Sequence, residues 1–157
     1  MILPVVLDFE PYEDYFFLDK YLHVDINKIE TSIETGLKAY QVISKRIEPG
    51  AAGTITNNLT SLGVGNVIAL GVIGDDGEGY ELTHKLRHTG VDTSFLLKTK
   101  RRSTPTYIKP LLNEKNGVRE INRLDIKNFN PTPSDLIKKI INKLNLLASK
   151  VDGIIVM

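Results

Sequence analysis

Two periods of hydrophobic spacing alternate along the 157-residue chain. Residues 2–7, ILPVVL, form a short apolar run that predicts a buried strand. Between His23 and Glu48, apolar and polar residues alternate in HVDINKIE and again in YQVISKRIE, which predicts two half-exposed antiparallel strands. Beyond Pro49 the period lengthens. Ile55, Leu59 and Leu62 fall at i, i+4 and i+7, one face of a helix, and Gly63 supplies a left-handed stop. NVIALGVIG then predicts a strand buried on both faces. After GDDGEG, Leu82 and Leu86 mark a helix that ends at Gly90, with Val91 behind it as in a Schellman motif.

Residues 95–125 return to strand alternation, with turn signals at 101–105 and 113–117. NPTPSD announces a third helix: Thr132 as N-cap, Pro133 at the first position and Asp135 in the first turn. Leu136, Ile140, Leu144 and Leu147 form its apolar stripe. VDGIIVM adds a further buried strand. Core strands alternating with helices imply an α/β layered core with a mainly parallel sheet. The two amphipathic strand groups, within about 22–48 and 95–125, are excursions expected to pair as one small antiparallel side sheet, lid-like in position. The aromatic stretch Tyr12, Tyr15, Phe16, Phe17 and Tyr21 reads as core and interface packing.

Composition narrows the function classes. A formal net charge of +1 gives no global basic field, so nucleic acid is not an expected partner. The absence of cysteine removes disulfides, thiolate metal sites and a cysteine nucleophile, and it suits a reducing cytoplasm. No apolar run approaches the roughly 20 residues of a membrane span, so no membrane partner is expected.

The stretch PGAAGTITNNLTSLG, residues 49–63, poses the chemical question. A Walker loop ends in Gly-Lys-Ser/Thr, and a dinucleotide fingerprint needs G-x-G-x-x-G; neither is present. What remains is a helix start that small residues Gly50, Ala51 and Ala52 allow a ligand to approach closely, or a plain helix start. GDDGEG lacks the alternating acids and twelfth-position glutamate of an EF-hand, so a tight strand-to-helix turn with Asp76 near the helix start is the simpler reading. His84 and His88 have zinc-protease spacing, but Lys85, Leu86 and Arg87 lie between them where the glutamate base belongs. No serine elbow serves His23. No metal ligand set emerges.

Taken together, these segments resemble the PfkB-type, ribokinase-like carbohydrate kinases, in particular the sugar-kinase half of heptose kinase/adenylyltransferases. FLDKYLHVDINKIE is similar to the family's first lid strand. EPGAAGTITNNLTSLGVGNVIALGVIGDDGEGYELTHKLRHTGVDTS is similar to its glycine-rich signature and the strand–GDD–helix unit after it. RRSTPTYIKP and REINRLD are similar to its second pair of lid strands. No one of these segments is specific; their order is.

The resemblance implies a ribokinase-like α/β fold with a small lid sheet, and it assigns roles. Asp19 matches the acid that binds sugar hydroxyls, and Gly50 the glycine against which the sugar lies. Ala51 stands in place of the second glycine and Thr54 in place of the asparagine that usually meets the sugar. Lys109 stands where a basic lid residue faces substrate, and Arg123 matches the arginine of RLD. Asn58 keeps a later asparagine that is as well explained by structure. Family members are roughly twice as long as this chain. Their catalytic aspartate, in a Gly-Ala-Gly-Asp helix start, and their nucleotide pocket fall beyond the matching residues, and the chain contains no such tetrapeptide. The expectation is therefore the N-terminal part of one carbohydrate-kinase domain spanning 1–157, with the C-terminal half missing and no catalytic residue of its own. The complete enzyme would use ATP and Mg²⁺ to phosphorylate a sugar or sugar phosphate, with no cofactor expected on this chain alone. A homodimer through the lid strands is expected, and a non-catalytic assembly or ligand-binding module is the alternative. A dehydrogenase-type domain would require NAD at residues 50–54.

Overall fold

The computed structural model describes residues 4–7, 15–115 and 117–157. The strands are β1 (Pro4–Leu7), β2 (Leu18–Asp25), β3 (Glu30–Thr31), β4 (Lys38–Ala39), β5 (Val42–Pro49), β6 (Val67–Gly74), β7 (Val91–Asp92), β8 (Leu96–Thr99), β9 (Thr106–Glu114), β10 (Gly117–Glu120), β11 (Leu124–Ile126) and β12 (Gly153–Val156). The helices are α1 (Ala51–Ser61), α2 (Gly77–His88) and α3 (Ser134–Ala148).

Every residue of β6 is buried. Successive side chains of a strand point to opposite faces, so a run without polar breaks requires a layer on each side. Val67, Ala69 and Ile73 pack with Val6 and with Leu82 and Leu86 of α2. Ile68, Leu70 and Val72 pack with Val5 and Leu7 and with Leu136, Ile140 and Leu147 of α3. Each such aliphatic side chain contributes about 1.5–3 kcal/mol on full burial. The core sheet runs β12-β1-β6-β7, with β8 also along β6, and all its pairings are parallel.

Helix ends follow the glycine signals. Gly63 and Gly90 take the left-handed conformation after α1 and α2, with φ of 79° and 84°. Leu62, expected on the buried face of α1, is instead its C-cap and is 81% exposed. The helix buries Ala52, Gly53 and Thr56, because it packs at close range: a Cβ on Gly53 would overlap the Pro49 ring. At α3 the cap is Pro133, not Thr132. Its ψ of 135° keeps it outside the helix while its carbonyl accepts from the Leu136 and Ile137 N–H groups. β12, expected to be buried, has mostly exposed residues, because among the described residues it pairs with β1 alone.

A second sheet, the lid, has the order β10-β9-β2-β5, with β11 also along β9. Its β2–β5, β9–β10 and β9–β11 pairs are antiparallel, but the central β2–β9 pair is parallel, so the lid is mixed. The reason is topological: β2 and β9 are separated by the core excursion β6–α2–β8, not by a hairpin. Two strand expectations change. HVDINKIE is not one strand, since Asp25 accepts from the Asn27 N–H at 2.9 Å and turns the chain into a 3-10 segment at Ile26–Lys28. β8 pairs with β6 of the core, and only β9, β10 and β11 of the 95–125 group enter the lid.

The GDDGEG turn joins the two sheets. Asp76 caps α2 by accepting from the Gly79 N–H at 2.8 Å. The same carboxylate accepts from the Thr104 N–H at 2.8 Å and the Thr104 hydroxyl at 2.7 Å, and that hydroxyl accepts from the Gly74 N–H at 2.9 Å. Thr104 is fully buried, so losing Asp76 leaves donors with no water to turn to. Asp76→Ala should lower unfolding free energy in urea by about 2–4 kcal/mol, the sum of a lost cap and stranded buried donors. A loss within that of an ordinary surface substitution would show the knot to be dispensable.

Candidate functional site

Register places a set of polar and aromatic side chains on one face of the lid. Asp19 and Tyr21 of β2 lie opposite Tyr107 and Lys109 of β9, and opposite Glu48 and Arg46 of β5. Asp125 of β11 lies opposite Tyr107. Paired residues share a face, so six side chains from β9, β2 and β5 and one from β11 form a continuous patch.

Its centre is an ion pair. The Lys109 ammonium lies 2.6 Å from Asp19 Oδ1, and each side chain is 19% exposed. Burial pulls the Lys109 ammonium down, but the Asp19 hydrogen bond and charge, assisted by Tyr21, outweigh it and hold Lys109 above its ordinary 10.5. Tyr21 is the platform of this centre, with Lys109 5.0 Å and Arg46 4.1 Å from its ring centroid. Arg46 also contacts Glu48 at 3.3 Å.

A second aromatic platform lies beside it. Arg123 stacks 4.3 Å from the Tyr107 centroid while its guanidinium holds both oxygens of Asp125, at 2.7 and 3.1 Å. Phe17 meets Tyr107 edge-on, with centroids 4.8 Å apart. The Phe17 ring covers Gly50, where an added Cβ would fall onto its carbons. This is the close approach that the glycine permits, and it is made by the protein's own side chain. The start of α1 is further closed by backbone: the Gly50 N–H donates to Phe17 O at 2.7 Å and the Ala52 N–H to Tyr15 O at 3.1 Å.

The six residues assigned by resemblance therefore fall into three places. Asp19 and Lys109 meet directly. Arg123 and Gly50 border the same patch through Tyr107 and Phe17, while Ala51 is half-buried at the helix start. Thr54 is exposed on α1 and lines a groove of about 270 Å³ with Glu48, Asn57, Lys85 and His88. Tyr107 and Arg46 were not singled out from the sequence, and Tyr21 only as packing. The available signal was the i, i+2 spacing of Asp19 with Tyr21 and of Tyr107 with Lys109, which puts each pair on one strand face.

Residues 24–151 match the family described as pfkB family carbohydrate kinase. Among curated proteins, the Bifunctional protein HldE of Helicobacter pylori strain J99 is 35% identical over 106 residues, 68% of this chain and 22% of that protein. Its counterpart from Helicobacter hepaticus is 27% identical over 139 residues, 88% of this chain and 27% of that protein. The chain thus spans about a quarter of the length of these relatives. Among solved structures, a carbohydrate kinase from Agrobacterium tumefaciens superposes with a TM-score of 0.55 at 23% identity, covering 80% of this chain and 35% of that one. An Arabidopsis thaliana ribokinase, solved with ribose and ATP, gives a TM-score of 0.50 at 14% identity over 81% of this chain and 35% of that one.

The Lys109 shift can be read directly. Because its value is raised in the folded chain, its stabilisation is complete below about pH 10.5 and is lost as pH climbs through the folded value. Asp19→Asn removes the outweighing charge and leaves burial, so Lys109 should then titrate below its position in the unsubstituted chain. Cε-labelled lysine NMR across the alkaline range reads this, and an unmoved Lys109 midpoint would remove the ion pair from the site.

Proposed function

Because the chain belongs to the pfkB family of carbohydrate kinases, we propose that it supplies the sugar-binding face and lid of an ATP-dependent carbohydrate kinase. The supporting observation is the Asp19–Lys109 pair set between the Tyr21 and Tyr107 rings on one lid face. A carboxylate accepts hydrogen bonds from neighbouring sugar hydroxyls, an ammonium donates to a ring or hydroxyl oxygen, and aromatic faces cover the C–H side of a sugar ring. Arg46 and Arg123 add guanidinium donors to the same face, each paired with a carboxylate, Glu48 and Asp125, that a sugar phosphate would displace. Gly50 and Ala51 would border this ligand from the start of α1, with Phe17 moving or stacking at Gly50, while Thr54 faces the separate groove beside Lys85 and His88.

In the complete kinase, a sugar hydroxyl oxygen forms a bond to the γ-phosphorus of ATP, the bond to the β-bridging oxygen breaks, and an aspartate takes the hydroxyl proton. ATP with Mg²⁺ would supply the phosphoryl group. At the start of α1 the Gly50 and Ala52 N–H groups are engaged by the chain itself. In this reading residues 1–157 are the N-terminal part of one kinase domain and do not turn over alone. The lack of cysteine accords with a cytoplasmic setting.

A second reading, an assembly module that keeps a kinase-like half-fold, is favoured by the open lid edge. β5 is an edge strand with Val42 and Ile43 exposed, and Ile33, Leu37 and Tyr40 project from the β3–β4 ribbon nearby. Such an edge offers unpaired backbone groups to a second copy. Both readings accommodate a lid-to-lid homodimer.

Calorimetry with sugars and sugar phosphates separates them. Binding that weakens about tenfold to a hundredfold in Asp19→Ala, the worth of a charged hydrogen bond, supports the sugar face. Absence of binding, together with a dimer that Ile43→Lys dissociates in sedimentation, supports assembly. ATP-dependent sugar phosphorylation by the purified 157-residue chain would overturn the claim that it is inactive alone.

A further inference from the structure

The patch face of the lid explains Asp19, Tyr21 and Lys109. The opposite face carries an arrangement with no role in that chemistry. Lys20, next to Asp19, points away from it, as alternate strand residues do. Its ammonium lies 2.8 Å from Glu78 Oε1 and 2.6 Å from Glu81 Oε2, both on α2. The three side chains are 15%, 27% and 24% exposed, so water screens them little. Burial pulls the Lys20 ammonium down, yet the hydrogen bonds and charges of both glutamates leave it above its ordinary value. Burial likewise pushes Glu81 up, yet Lys20 first and Lys45 second hold it below its own. Lys45 of β5 reaches the same Glu81 at 3.4 Å from an exposed position.

The base of the lid is tied differently, by two backbone hydrogen bonds and the Asp76 carboxylate. Leu18 N–H donates to Pro105 O at 3.0 Å, Gly50 N–H to Phe17 O at 2.7 Å, and Asp76 holds Thr104 just before β9. The Lys20 cluster lies beyond these ties, where the lid passes over α2. Glu78 and Glu81 stand three residues apart on one helix face, so without Lys20 two half-buried carboxylates would lie beneath the sheet with the exposed Lys45 left against Glu81. The sheet would then lose its charged tie to α2 at this point.

We propose that Lys20, clamped between Glu78 and Glu81, is a positioning residue: an electrostatic latch that fixes the lid sheet on α2 and so sets where Asp19 and Lys109 stand over the core. Its bearing on sugar binding rests on the reading above. The latch does not, and it can be tested without any ligand.

The chain has no cysteine, so two introduced ones label cleanly. Spin labels at Glu120→Cys on β10 and His84→Cys on exposed α2 report the lid-to-core distance by pulsed electron resonance. The latched chain should give one narrow distribution. Lys20→Met should broaden it or move it to longer distance, Lys20→Arg should restore it, and circular dichroism should remain unchanged. Should Lys20→Met fail to fold, the Glu78→Gln, Glu81→Gln double variant neutralises the same cluster at constant shape and should broaden the distribution alike. An unchanged distribution in whichever of these folds overturns the latch, while absence of sugar binding by the unsubstituted chain, with the distance response present, would count against the sugar face alone.

Discussion

One carboxylate, that of Asp76, holds three parts of the chain together. It caps α2, takes both donors of Thr104 and, through the Thr104 hydroxyl, reaches the end of β6 at Gly74. Space around this knot is so tight that a Cβ on Gly79 would fall on the Gly74 carbonyl. The end of the central strand, the start of the helix beneath the lid and the entry to β9 are thereby fixed to one another. Since the Thr104 hydroxyl is shut from water, its donor and acceptor roles in this network are met within the chain or not at all.

From that point α2 serves both layers. Its apolar side, Leu82 and Leu86, completes the core beneath β6. Its polar side, Glu78 and Glu81, faces Lys20 and Lys45 of the lid. The lid consequently has two unlike faces. One is committed to α2 by charge, and the other gathers Asp19, Tyr21, Arg46, Tyr107 and Lys109 from strands that meet only in the folded sheet. The proposed function depends on such a division, because side chains spent on attachment cannot also meet a ligand.

Much of the core was legible along the chain. The continuous apolar run of β6, the Leu82–Leu86 spacing, the glycine stops at Gly63 and Gly90 and the α3 stripe all correspond to structure, because each is a local pattern read at its own period. The failures are also local in origin. Leu62 matched the helix period but is the C-cap of α1, where its side chain is exposed. Asp25 interrupted an alternation by accepting from the Asn27 N–H two residues on. VDGIIVM has the composition of a buried strand, yet burial depends on neighbours, and among the described residues β12 has one.

For the site, segment order and the resemblance it carries brought Asp19 and Lys109 into view, and the folded chain places them 2.6 Å apart across 90 residues of sequence. The aromatic platforms and Arg46 came only with register, since which residues share a face of a sheet depends on which strands pair and in which direction. The parallel β2–β9 pairing is the case in point: it follows from a long excursion through the core, and no period within either strand encodes it. Periodicity, glycine stops and residue order are written in the chain because they arise from contacts between near neighbours. The patch, the Asp76 knot and the Lys20 cluster join distant segments, so they exist only once the core has fixed α2 beneath the lid.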